Sequence, residues 1–227
     1  MDFSKLEKQT GLKFKDKELL EQAFTHRSFL NEHPEVTGHN ERLEFLGDAV
    51  VELIVTTYLY QKFPDKPEGE LTALRSALVR RGTLSEIGDE LNFNQYLRLS
   101  KGESTNTDKA KSMILSNTTE AFIGAVFLDQ GLETVKKFLD KFLLPKLDEI
   151  VSTEQHIDAK SRFQEITQER ESTTPHYKIE KSSGPDHRRT FEVGLYVGDK
   201  LITRGTGLSK REAEADAATK ALDQITN

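Results

Sequence analysis

The 227-residue chain has no cysteine. That excludes disulfides and thiolate metal sites, and it fits a reducing compartment. Long apolar runs are missing too. The nearest approach, around Val50 to Tyr60, contains Glu52 and is too short to span a bilayer. The first residues, Met1 to Lys8, lack the apolar core of a secretory signal. The expectation is a cytoplasmic protein with no membrane contact. Positive charge is also in short supply: the net charge is -6 and the pI about 5.6. This is the wrong sign for a generic nucleic-acid binder. Neither half is basic, with 20 Lys and Arg against 25 Asp and Glu in residues 1–150, and 12 against 13 in 151–227. Any nucleic-acid contact must therefore come from local patches. There is no HExxH pair, no Walker-type glycine loop and no convincing Ser/His/Asp set.

What is present is an ordinary globular composition, 35% hydrophobic and 31% charged. It is enough for one large domain or two small ones. The first 150 residues carry no strand signal and read as all-α. Short helices are expected over residues 3–33, with a break near Gly11. Pro34 and Gly38 mark a loop. A helix should run from about 40 to 62, another through Leu71 to Val79, and a short one through Leu84 to Leu91. Residues 100–109 form a polar stretch expected to be a mobile loop. A long helix from about 110 to 129 should end at Gly131. The next, from about 132 to 150, should be kinked or divided by Pro145.

After Val151 the pattern changes. Residues 151–157 read as a polar linker, and a helix follows to about 170. Strand-like segments come next: His176 to Lys181, then Phe191, Val193, Leu195 and Val197 alternating with period two, then Lys200 to Gly205. Gly198-Asp199 suits a two-residue hairpin turn. A last helix, about 209–225, puts Ala213, Ala217, Ala221 and Leu222 on one face. The whole is a multi-domain chain: an all-α domain over 1–150, then a compact α+β module of order α-β-β-β-α over 158–227.

The stretch Asn40-Glu41-Arg42-Leu43-Glu44-Phe45-Leu46-Gly47-Asp48-Ala49 carries the chemistry. Glu41, Glu44 and Asp48 fall at i, i+3 and i+7, within an arc of roughly 60° on one helix face. Leu43, Leu46, Val50, Leu53 and Ile54 form the expected core side. Phe45 sits about 40° from Glu41, an apolar ring on an acidic face. A second acid, Glu120, lies in the otherwise mostly apolar run Ser116 to Leu128, where a buried carboxylate is costly unless paired or metal-bound. Gly124, which costs about 1 kcal/mol relative to Ala inside a helix, makes with Ala121 a small-residue stripe beside Glu120. If helix 40–62 packs there, four carboxylates converge. A hard divalent cation such as Mg²⁺ resolves that repulsion, and two such ions suit phosphodiester displacement. His26 and His39 read as loop or packing residues.

The second module offers three polar features. Its first helix carries Lys160, Gln164, Glu165 and Gln168. Residues Ser183 to Arg189 form a polar loop containing His187. Ser209-Lys210-Arg211 opens the last helix, where the dipole adds to the charge. Each alone is ordinary solvated surface. Together they point to shape-based reading of double-stranded RNA.

The chain resembles the bacterial ribonuclease III family. The Asn40 to Ala49 box matches its signature. Thr25-His26-Arg27-Ser28, Leu71 to Val79 and Tyr96 to Glu103 also fit its pattern. Residues 157–226 resemble its double-stranded RNA-binding domain. The resemblance implies a homodimer whose cleft binds duplex RNA. Each subunit cuts one strand, leaving 5′-phosphate, 3′-hydroxyl and a short 3′ overhang, in the processing of rRNA precursors and structured mRNAs. It implies Mg²⁺, with Mn²⁺ as a possible substitute, and no organic cofactor. By position, Glu44, Asp48 and Glu120 are metal-binding catalytic residues, and Glu41 is a further cleft acid. Phe45 is an aromatic that plugs a socket in the partner subunit. Gln164, His187, Lys210 and Arg211 are RNA contacts. One position departs: Asn117 stands where the family usually has Asp. An amide oxygen still ligates Mg²⁺ or holds a metal-bound water, but it brings no charge. The alternative is a non-cleaving, RNA-binding regulatory dimer in which Asn117 has disabled the site.

Overall fold

The computed structural model describes all residues except 104–106, 153–158, 185–188 and 227; the side chains of Ser152, Glu171 and Thr226 are also outside it. The chain divides into two compact units, Met1–His156 and Ile157–Asn227. His187 lies outside the described residues, as does the middle of the polar stretch 100–109.

The first unit is helical: α1 Ser4–Thr10, α2 Lys17–Ala23, α3 Glu41–Lys62, α4 Glu68–Leu78, α5 Arg81–Glu90, α6 Asp108–Gln130, α7 Leu132–Phe142 and α8 Lys146–Ser152, with 3-10 turns at Arg27–Asn31 and Phe93–Gln95. Pro145 divides α7 from α8, as a residue without an amide hydrogen must. Helix α8 continues through Val151 and Ser152, so the first two residues of the expected linker are helical instead. Leu147 and Ile150 of α8 are buried in the core, and that anchoring carries the helix past residue 150.

Helix α6 is the axle of this unit. Eleven of its residues, from Ile114 to Val126, are buried, including Phe122 and Ile123. Phe122 meets Phe93 at 5.2 Å, and Phe93 meets Phe24 edge-on at 5.0 Å and 86°. Such pairs contribute about 0.5–1.5 kcal/mol beyond their buried area. Helix α3 crosses α6 with almost no side chain between them. A Cβ on Gly47 would lie 1.8 Å from the Glu120 carbonyl oxygen, and one on Gly124 would lie 2.2 Å from that of Leu43. Both glycines are therefore fixed by the close approach of the two backbones.

That crossing also sets which side of α3 is buried. Gly47, Val51 and Val55 are buried along with Leu43, Val50 and Ile54. Leu53, expected on the core side, is 56% exposed. The buried arc is centred on Gly47, which an apolar-residue wheel leaves out, and Leu53 falls beyond its edge.

Two irregular segments brace the start of α3. Thr25 and Arg98 form an isolated parallel bridge, with Arg98 N donating to Phe24 O at 2.9 Å and His26 N to Arg98 O at 3.0 Å. Asn40 N donates to Thr25 O at 2.9 Å. The segments Thr25 to Ser28 and Tyr96 to Glu103 thus meet where the acidic helix begins.

The second unit runs α9 Ala159–Glu171, β1 His176–Ser183, β2 Thr190–Val197, β3 Lys200–Gly207 and α10 Lys210–Thr226. Its strands form one antiparallel sheet in the order β1-β2-β3. Gly198, at φ +55°, opens the β2–β3 turn. Phe163, Leu195, Val197, Ala217, Ala218 and Ala221 make its core. The alanines let α10 lie close to the sheet, and Thr203 Oγ1 donates to Ala217 O at 2.7 Å. No helix of the described residues is long and apolar enough to cross a membrane.

Gly47→Ala and Gly124→Ala are expected to destabilise the protein by at least about 3 kcal/mol, the upper range for forced overpacking. The check is urea unfolding against Gly102→Ala, whose new Cβ meets nothing within 4 Å. Equal midpoints for Gly47→Ala and Gly102→Ala contradict the close crossing.

Candidate active site and RNA-binding surface

The α3–α6 crossing brings the acids together. Glu44 and Asp48 flank Gly47 on α3, and Glu120 lies one turn before Gly124 on α6. Glu44 and Glu120 are half-buried, whereas Asp48 is exposed. Burial, reinforced by Asp48 and Glu44, pushes the Glu120 carboxyl up to about 7; Arg81 opposes this. Burial also raises Glu44, with Glu41 and Asp48 adding to it, against a hydrogen bond from Asn117. Three carboxylates thus repel one another across two helices, and Asn117 joins them as a donor to Glu44.

Glu41 belongs to a different setting. It is exposed, and it has Arg27 at 3.6 Å and His39 at 3.8 Å. Surface pairs of this kind contribute little stability, but the Arg27 guanidinium locally balances its charge. Sequence reasoning misses Arg27 and Arg81 as neighbours of the acids. Arg81 lies 39 positions before Glu120, so local spacing carries no signal of the pairing.

The donor set Glu44, Asp48, Glu120 and Asn117 is all oxygen, the chemistry that hard divalent cations take. As they stand, the side chains are not closed into a ligand shell. Among the described residues, no group of three or more His, Asp or Glu is arranged to hold a metal ion. A hollow of about 790 Å³ bordered by Glu18, Glu21, Thr37 and Arg98 includes none of these acids. Glu21 there is ion-paired with Arg98.

Phe45 is 81% exposed on α3, and Tyr60 on the same helix is 73% exposed. With Leu53 they make an apolar outer edge that nothing in the chain's first unit covers among the described residues.

In the second unit Gln164 is exposed on α9, beside Glu165 and Gln168. Lys160, expected among the solvated cations of that helix, is instead tied to Glu214 of α10 and lies 4.8 Å from the Tyr177 ring centroid. Lys210 and Arg211 open α10 and are exposed. Ser209 Oγ accepts from Glu212 N at 3.2 Å, and Glu212 Oε2 accepts from Leu208 N at 2.8 Å. This reciprocal cap fixes the helix start and leaves both cations free to face a ligand.

The raised Glu120 sets a pH dependence. The folded chain holds a proton between about pH 4.5 and 7 that the unfolded chain releases, so stability falls as pH rises through that window. Glu120→Gln removes the loss. In metal-free buffer, Glu120→Gln is expected to be more stable than the parent at pH 8 by on the order of 1–2 kcal/mol, after discounting for partial exposure, and equal to it near pH 4. Thermal melts at the two pH values check this; a constant difference between parent and variant contradicts it.

The comparisons with known proteins agree with this arrangement. Residues 16–147 match the ribonuclease-III-like family model, and residues 159–225 match the double-stranded RNA binding motif. Ribonuclease 3 of Enterococcus faecalis is 44% identical over 98% of this chain and 96% of its own length. Ribonuclease 3 of Oceanobacillus iheyensis is 43% identical over the full length of both. A nuclease-domain structure of ribonuclease III from Campylobacter jejuni, concerned with flexibility in its dimer-forming region, shares 41% identity. It has a TM-score of 0.58 and covers 63% of this chain and 97% of its own. An oxygen-lined acidic centre on two crossed helices, followed by an α-β-β-β-α module, is thus joined to matches along nearly the whole sequence, and the chain belongs to the ribonuclease III family of double-strand-specific endoribonucleases.

Proposed function

We infer that the protein is a homodimeric endoribonuclease that hydrolyses phosphodiester bonds in double-stranded RNA with Mg²⁺. Each subunit cuts one strand to leave 5′-phosphate, 3′-hydroxyl and a short 3′ overhang. Its substrates are rRNA precursors and structured mRNAs of the cytoplasm, a compartment consistent with the absence of cysteine. The observation that carries this reading is the α3–α6 crossing, where backbone contact at Gly47 and Gly124 brings Glu44 and Asp48 beside Glu120, and burial raises Glu44 and Glu120.

Glu44, Asp48 and Glu120 are the residues that would hold the cation, with Asn117 as a neutral oxygen donor. When bound, Mg²⁺, with Mn²⁺ as substitute, supplies positive charge to the scissile phosphate and acidifies the attacking water. The chain's own part is positional. Gly47 and Gly124 fix the helices at backbone contact, so the carboxylates reach the phosphate from two rigid walls. Glu120, raised to about 7 in the empty centre, gives up its proton when it takes a cation, so cation binding strengthens as pH rises. Asn117 orients Glu44 by donating to it. Glu41, balanced by Arg27, lines the rim of the cleft. Gln164, His187, Lys210 and Arg211 hold the duplex by its grooves and phosphates. Domain limits of 1–150 for the nuclease and 158–227 for the RNA-binding module go with this division of labour.

Phe45 is the proposed dimer anchor. A ring 81% exposed on a helix is an unusual use of an aromatic side chain, and Leu53 and Tyr60 extend the same apolar edge. The Campylobacter jejuni nuclease domain is described with a region of dimer formation, which supports the same assembly here.

Long duplex RNA incubated with Mg²⁺ should be cut to short products. Glu120→Gln should lower cleavage by at least about 100-fold, the scale of an essential acid–base or electrostatic group, while gel-shift binding survives. If the parent binds but never cuts, and Asn117→Asp cuts, the regulatory-dimer reading replaces this one.

Phe45→Asp should shift the protein towards monomer in light scattering at micromolar concentration. A dimer as tight as the parent's removes Phe45 from the interface.

A further inference from the structure

An acidic centre that processes RNA has to receive another anion. Every phosphate reaching Glu44, Asp48 and Glu120 adds negative charge to a cluster whose members already repel one another. Most arginines nearby are committed. Arg27 is directed to Glu41 at 3.6 Å. Arg75 donates to Thr56 Oγ1 at 3.1 Å. Arg80 turns back on Thr83, Nε to Oγ1 at 3.4 Å.

Arg81 differs. It is the first residue of α5 and is exposed, and no ion pair or hydrogen bond engages its guanidinium among the described residues. Its position is fixed by packing. Thr119 Oγ1 donates to the Leu84 carbonyl at 3.1 Å, pinning the first turn of α5 to the residue before Glu120. One turn further along, Gly88 lies so near α6 that a Cβ there would come within 3.0 Å of Thr119 Oγ1. Arg81 is three residues before Leu84, hence on the same helix face. Side chains lean towards the helix start, so Arg81 reaches past the end of α5 on the Glu120 side. Its charge is felt by Glu120 across a gap too wide for an ion pair.

We propose that Arg81 contacts the RNA backbone at the cleavage centre, its guanidinium engaging a non-bridging oxygen of the phosphate presented to Glu44, Asp48 and Glu120. The proposal rests on the nuclease reading and adds a substrate-holding residue to it. The chemistry suits the position. A guanidinium is charged at every working pH and matches two phosphate oxygens with two N–H donors. A cation already ion-paired to a carboxylate has to break that pair to take a phosphate; Arg81 does not.

The test uses the full-length protein with a duplex RNA of defined length. Arg81→Ala and Arg81→Gln should fold as the parent does, since the residue is exposed at a helix start. Both should lower kcat/KM with Mg²⁺ by at least about tenfold, with Arg81→Lys intermediate because it keeps charge without the fork. In metal-free buffer, the slope of log affinity against log salt should become shallower by roughly one for each phosphate that the guanidinium no longer neutralises. The same fall in affinity should persist when Arg81→Ala is made in the Glu120→Gln background. If the fall vanishes there, Arg81 acts only through Glu120 and the proposal is overturned. Unchanged kcat/KM and salt slope in a parent that cuts duplex RNA overturn it while the nuclease reading stands. A parent that neither binds nor cuts duplex RNA overturns both.

Discussion

The contact on which the rest depends is the backbone-to-backbone crossing of α3 and α6. Two glycines, 77 positions apart, allow it: Gly47 lies against the Glu120 carbonyl and Gly124 against that of Leu43. A glycine inside a helix costs about 1 kcal/mol relative to Ala, so two such positions are a local loss of helix stability. They let the helix axes approach to a separation that side chains do not permit. The acids follow from that geometry. Glu44 and Asp48 flank one glycine, and Glu120 lies a turn from the other. Bringing the helices into contact brings the carboxylates together whatever their mutual repulsion. The opposing force is the packing on the other sides of α6, where Phe122, Ile123 and Val126 are fully buried.

Electrostatics then separates acids that look alike in the sequence. Glu41, Glu44 and Asp48 share one helical arc, yet Glu41 is balanced by Arg27 on the exposed rim. Glu44 and Glu120 face inward, and burial is the first cause of their raised pKa values. Position 117 is consistent with that strain. An Asp there would add a fourth charge beside Glu44, whereas Asn117 donates a hydrogen bond to it and relieves part of the load. The same substitution that lightens the repulsion also removes one negative charge from any cation held there. Stability of the empty centre and affinity for a cation therefore pull in opposite directions at this residue.

Local patterns are readable where one helix or strand decides its own fate. The span of α3, the division at Pro145, the hairpin turn at Gly198-Asp199 and the alternation in β2 all appear in the sequence because their causes are nearest-neighbour ones. Gly124 and Ala121 announce a close approach. The other half of that approach, Gly47, is concealed inside the acidic box, and an apolar wheel consequently puts Leu53 on the wrong side of the helix. Lys160 reads as a solvated cation on α9, but Glu214 on α10, 54 positions away, captures it. Arg81 and Arg27 share that limit. Their relation to the acids is made by packing between elements, and a spacing rule within one helix does not contain it.

The charge balance of the two units imposes a last constraint. Residues 1–150 carry an excess of acids, so a polyanionic duplex is not drawn to the nuclease unit by its net field. Attraction has to come from cations held at fixed points. The second unit carries two exposed cations, Lys210 and Arg211, at the capped start of α10, where Ser209 and Glu212 lock the helix end; these are the proposed points of attraction. Long-range repulsion is screened within about 8 Å at physiological ionic strength, so a few well-placed contacts outweigh a modest net charge. What screening does not reduce is the repulsion inside the half-buried centre itself. A phosphate arriving there meets the half-buried Glu44 and Glu120 at short range. A positive charge within the site eases that encounter, and the uncommitted guanidinium proposed for Arg81, carried on a helix start held by packing, meets part of the need before any metal ion is counted.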